Sequence, residues 1–133
     1  MQKNELCEIA KRARENSYSP YSSCRVGAAL LCADGSVYTG VNIENAAYSP
    51  TICAERSAFS AAITDGKREF SMIAVAGEGD VFPPCGVCRQ VMAEFCSADF
   101  LVLCVTPEGY REYTLCELLP HAFTPENVKG DTL

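Results

Sequence analysis

Two apolar runs, in SMIAVAGEG (71–79) and FLVLCV (100–105), constrain this chain most. Neither shows the alternation of a half-exposed strand, so each reads as a strand buried on both faces. Such strands need helices on either side, which places the chain in the α/β class. The rest of the pattern agrees. Residues 3–16 carry Leu6, Ile9, Ala10 and Ala13 on one face and Lys and Arg on the other, the pattern of an amphipathic helix. VGAALLCA (26–33) and SVYTGVNIE (36–44) flank Asp34-Gly35 and read as a hairpin with a two-residue turn. Helices are predicted over about 53–65 and 86–96, and a short strand near 111–115. LCELLPHAF (115–123) predicts a short helix broken at Pro120, and the polar tail after 124 is expected to be loosely held. The order α-β-β-α-β-α-β-β predicts a three-layer α-β-α fold with a central mixed five-stranded sheet, one domain over residues 1–133.

Charge narrows the function. The chain carries a net charge of −6 and has no Lys/Arg run. An acidic chain without a basic stripe is a poor grip for a polyphosphate backbone, so nucleic acid is not expected as a partner. No apolar run approaches the ~20 residues of a membrane span. The first 17 residues, MQKNELCEIAKRARENS, lack a signal-peptide core. A cytoplasmic protein without membrane contact is expected.

Nine cysteines are many for 133 residues. Their odd number, with no secretory signal, argues against a disulfide framework. Cys7, Cys24, Cys32, Cys96, Cys104 and Cys116 sit in or beside apolar patterns and read as small core residues. The other three do not. Cys85-x-x-Cys88 has the spacing of a zinc half-site, and Pro84 stands just before a predicted helix start. Cys53 also stands at a predicted helix start. Helix N-termini favour thiolate, so two facing helix starts would offer three thiolates to one ion. Three protein ligands leave the fourth position of zinc open, as in a catalytic site. Glu55, two residues from Cys53, would reach a water there and move protons. Arg56 reads either as a donor that withdraws charge from the thiolates or as a surface ion-pair residue. Arg89 is a second candidate for the same task.

Cys53-Ala-Glu-Arg56 followed about thirty residues later by Pro84-Cys-Gly-Val-Cys-Arg-Gln90 resembles the cytidine deaminases of the small homotetrameric class. The resemblance runs through YSPYS (18–22), VGAALL (26–31), GVNIENAAYS (40–49) and ELLPHAF (117–123). It implies the cytidine-deaminase fold, one Zn²⁺ per chain, and deamination of cytidine or deoxycytidine in pyrimidine salvage. It further implies that Asn42 and Glu44 bind the ribose and that the backbone at Ala54 and the Pro83 carbonyl hold the base. Tyr48 would lie at a subunit contact, and Phe123 would close a neighbouring subunit's pocket in a homotetramer. One position departs: where the family usually has an aromatic before the V-G-A strand, this chain has Cys24, which implies that an aromatic wall of the base pocket is missing.

Three rival readings explain fewer residues. A structural zinc module lacks a fourth ligand at matching spacing. A Cys-x-x-Cys oxidoreductase leaves Cys53 and Glu55 without roles. A nucleic-acid deaminase shares the chemistry but needs a basic channel. His121, the single histidine, reads as an exposed loop residue.

Overall fold

The structure, a computed structural model, describes residues 1–79 and 83–129. Helix α1 (Lys3–Ala13) runs into a 3₁₀ turn at Arg14–Asn16. Strands β1 (Gly27–Cys32) and β2 (Val37–Val41) precede α2 (Ala54–Thr64). Then follow β3 (Phe70–Ala76), α3 (Gly86–Phe95), β4 (Leu101–Thr106) and β5 (Gly109–Thr114). Two short helices, α4 (Leu115–Leu118) and α5 (Pro125–Lys129), end the described chain. The sheet order is β2-β1-β3-β4-β5, with β3 and β4 parallel and every other pair antiparallel.

Side-chain parity builds the layers. Ala28, Leu30, Cys32, Ile73, Val75, Val102 and Cys104 face α2 and α3, where Phe59 and Met92 complete one core. Their neighbours Ala29, Leu31, Met72, Ala74, Leu103 and Val105 face α1 and pack on Leu6 and Ala10. The buried stretches of the central strands, Met72–Ala76 in β3 and Val102–Val105 in β4, are therefore apolar at every position because both faces are covered. This is the mixed five-stranded sheet between helices that the element order predicts.

Two glycines set how close the outer layers lie. A Cβ at Gly40 on β2 would stand 2.3 Å from the Ala58 nitrogen and 2.4 Å from the Ala54 oxygen of α2. A Cβ at Gly27 would stand 2.2 Å from the Ala10 oxygen of α1. Only glycine permits either approach, and the one at Gly40 seats α2 directly on β2.

Strand direction then assembles a site. β1 is antiparallel to both β2 and β3, and Gly27 pairs with Val41 at the end of one and with Ala76 at the end of the other. The carboxyl ends of β2 and β3 thus share one sheet edge. The chain beyond β2 leads to the start of α2, and α3 follows β3, so both helix N-termini return to that edge. Open α/β sheets bind ligands there, outside the carboxyl ends of strands.

Some boundaries differ from expectation. Cys32 accepts from the Gly35 N–H at 3.0 Å, so Ala33 and Asp34 are the central turn residues. Gly35 follows at φ +91°, which makes the hairpin loop one residue longer than a two-residue turn. β2 ends at Val41, not 44; beyond it Ile43 makes single bridges to Tyr18 and Ile52. The helix after residue 114 starts in a capping box between Thr114 and Glu117 and already stops at Leu118, with Leu119 as its C-cap. Beyond 124, a short helix forms where a loose tail was expected; residues 130–133 of that tail and residues 80–82 of the loop before Pro83 lie outside the described residues.

Candidate active site

Cys53 is the N-cap of α2 and Cys85 the N-cap of α3, with Cys88 one turn on. The Sγ atoms of Cys53 and Cys85 lie 3.8 Å apart, and those of Cys85 and Cys88 lie 3.4 Å apart. All three sulfurs lie within 4.8 Å of one another, the one trio of metal-ligand side chains found among the described residues. Two sulfurs at the usual Zn–S distance of ~2.3 Å and a tetrahedral angle stand about 3.8 Å apart. The three thiols therefore fit one tetrahedral zinc.

Their protonation is uneven. Hydrogen bonding from Cys88, with further donation from Arg56 and Cys85, brings the Cys53 thiol down to about 5 despite its burial. The same contact with Cys53, together with burial and the charge of Glu55, pushes Cys88 up. Cys53 thus takes the first negative charge of the trio. An Arg56 Nη2 donates to its sulfur at 3.6 Å. The Arg56 Nε is buried and has no hydrogen-bond partner among the described residues. The guanidinium is turned to the sulfurs rather than to a surface carboxylate, which favours the donor reading over the ion-pair one. A cation beside a three-thiolate site offsets its excess charge.

Glu55 is the one buried charged residue among the described residues, 5% exposed. It sits in the first turn of α2, two residues from Cys53. Burial is the main cause that holds its carboxyl up to about 7, and the negative charge of Cys53 adds to it.

Cys53, Cys85 and Glu55 line a cleft of about 270 Å³, and the buried Cys88 stands behind the two sulfurs. Cys24, Val26, Ile52, Ala54 and Pro83 wall it, and Asn42 and Glu44 lie on it too. The Asn42 amide is already committed. Its Oδ1 accepts from the Val26 N–H at 2.9 Å and from the Ser17 hydroxyl, and its Nδ2 donates to the Cys24 carbonyl at 2.8 Å. That leaves one Nδ2–H for a ligand. Glu44 accepts from the Tyr21 and Ser22 N–H groups at 2.9 and 3.1 Å and from the Ser22 hydroxyl. These bonds lower its pKa, so it is a charged acceptor beside the donor of Asn42. A donor and a carboxylate side by side suit a hydroxyl-bearing ligand.

Tyr48 and Phe123 lie elsewhere on the surface, 83% and 61% exposed. Tyr48 borders a neighbouring cavity of about 360 Å³ that shares Ser22, Glu44 and Thr51 with the cleft. The Phe123 carbonyl accepts from the Gln90 side chain at 2.7 Å. Arg89 does not serve the sulfurs: its Nε donates to the Pro84 carbonyl at 2.8 Å and its Nη1 to the Leu118 carbonyl at 2.7 Å. Cys7, Cys32 and Cys104 are buried, Cys24 and Cys96 half-buried, but Cys116 is exposed because α4 turns it outward. The sequence reading missed Ser22 and Thr51 on the cleft. The serine-rich SYSPYSS segment before a carboxylate-bearing loop was the available signal for Ser22.

Comparison with known proteins agrees with this geometry. Residues 1–104 match the model of the cytidine and deoxycytidylate deaminase zinc-binding region. The chain is 50% identical over 131 residues to a cytidine deaminase of Sporosarcina psychrophila, covering 96% of each chain. It is 42% identical over 128 residues to a probable cytidine deaminase of Dictyostelium discoideum, covering 93% of this chain and 86% of that one. The crystal structure of cytidine deaminase from Burkholderia pseudomallei superposes with a TM-score of 0.88 at 45% identity, covering 92% of this chain and all of that one. No described helix is long and apolar enough to cross a membrane.

Proposed function

This chain belongs to the cytidine and deoxycytidylate deaminases, and on that premise we propose that it hydrolyses free cytidine and deoxycytidine to the uracil nucleosides and ammonia. One observation carries the proposal: Cys53 and Cys85, two of three thiols able to hold zinc, and a buried Glu55 share a cleft with Asn42 and Glu44. The thiol end fits the reacting edge of the base, and the Asn42–Glu44 end fits the sugar hydroxyls. The Ala54 backbone and the Pro83 carbonyl, both on the cleft wall, are the groups proposed to orient the base between them.

Cys53, Cys85 and Cys88 would hold the metal. Bound zinc supplies Lewis acidity that brings the pKa of the attacking water down to ~7. Glu55, itself held near neutrality, takes a proton from that water and delivers it to N3 of the base. It then carries the second proton from the new C4 hydroxyl to the 4-amino group, and ammonia leaves. Water in and ammonia out balance the reaction.

The proposal includes one domain over residues 1–133, a cytoplasmic place in pyrimidine salvage, and a homotetramer in which Phe123 covers a neighbour's cleft. The exposure of Phe123 and Tyr48 in the single chain supports the last point. The test is a spectrophotometric and ammonia-release screen of cytidine, deoxycytidine, cytosine and a cytosine-containing oligonucleotide. Turnover of the two nucleosides is expected. No ammonia from either, or faster turnover of the oligonucleotide, contradicts the proposal.

A further inference from the structure

We propose that Arg89 is a positioning residue of the metal centre, holding the turn that carries Cys85 against α3 and α4 by bridging two backbone carbonyls; this rests on Cys53, Cys85 and Cys88 being the ligand set. Apart from the backbone bond by which the Arg89 N–H donates to the Cys85 carbonyl at 3.0 Å, the turn has little packing to hold it. Pro83, Cys85, Gly86 and Val87 are all exposed, and Pro84 is the buried residue among them. Pro84 has no N–H to donate, so its carbonyl is its one polar handle. Arg89 takes that carbonyl with Nε at 2.8 Å. Its Nη1 reaches 2.7 Å to the carbonyl of Leu118, the last residue of α4. Carbonyls at a helix C-terminus lack intrahelical donors and favour a cation.

The guanidinium is therefore a brace with three fixed points. One end is its own backbone, next to Cys88. The second is Pro84, next to Cys85. The third is α4, outside the metal loop altogether. Because both sulfurs adjoin a braced residue, their 3.4 Å separation is held before any ion arrives. Preformed ligand spacing slows metal loss, as hydrogen-bonded surroundings of a metal site generally do. Lysine cannot substitute fully, since one ammonium lacks the fork that spans two carbonyls.

The experiment uses the zinc-loaded enzyme and measures zinc release to a chromogenic chelator. Arg89→Met is expected to release zinc at least tenfold faster than wild type, and Arg89→Lys at an intermediate rate. Leu6→Ala, on the far face of the sheet, is the control for general loss of stability and is expected to release zinc at the wild-type rate. The pH at which activity appears should not move in either Arg89 variant, because Arg89 makes no bond to sulfur. Unchanged release in Arg89→Met, or in Arg89→Lys should the methionine variant not fold, overturns the proposal. So does equally fast release from Leu6→Ala at a matched loss of Tm, or an altered pH profile. A wild type without zinc overturns the ligand reading and the proposal with it.

Discussion

Glu55 stands in an environment that disfavours its ionised form, and the reason is local. Gly40 lets β2 approach α2 closely, and the first turn of α2 is thereby sunk into the core with its carboxylate. A group whose folded-state pKa is raised gives stability that is full below its unfolded pKa and is lost as pH rises through the folded one. Here the window runs from 4.5 to about 7. In zinc-free protein, the unfolding free energy of wild type should fall relative to Glu55→Gln across that window, by roughly 3 kcal/mol at ~1.4 kcal/mol per pH unit. Urea unfolding of both proteins at a series of pH values checks this. Parallel curves would mean that the carboxyl is not perturbed in the folded protein. The role proposed for Glu55 would account for the cost: a proton shuttle works best with a pKa near the working pH.

At the scale of elements, the sequence was most legible where a local rule decides the outcome. Continuous apolar runs gave β3 and β4, and Pro84 before Cys85 marked the start of α3. Cys53 and Cys85 could be placed at helix starts for the same reason, and the sharing of one cleft by Glu55 and these thiols follows from it. Thr114 and Glu117 carried a capping-box spacing that marks α4 as a separate short helix, and the apolar run through Ala122 obscured it. The partners of Arg89 were not legible. Its donors go to carbonyls 5 and 29 residues away, and the second depends on where α4 docks. Asn42 was readable as a cleft residue through resemblance, yet its bracing of Cys24 and Val26 depends on the start of β1 meeting the end of β2. The exposure of Cys116 likewise follows from the short α4, not from composition.

For the whole molecule, a 133-residue chain has little material to enclose a nucleoside and still keep two cores. The proposed catalytic residues line a cleft of one chain, while the aromatic Phe123 stands out from the surface. If neighbouring copies cover each other's clefts, two inactive variants should rescue one another. Glu55→Gln and Phe123→Ala, unfolded and refolded together, should give activity above the sum of the two refolded apart. No gain, with mixed oligomers verified by mass spectrometry, would confine Phe123 to its own chain. The central claim is narrower: zinc held by Cys53, Cys85 and Cys88, with Glu55 moving the protons. Its most direct test is ammonia release from cytidine by wild type and Glu55→Gln at equal zinc content. The account predicts one zinc per chain in both proteins and a fall in kcat of at least ~10³-fold in the variant, since the lost group serves more than one proton transfer. A zinc-loaded Glu55→Gln that keeps a tenth of wild-type turnover would contradict it.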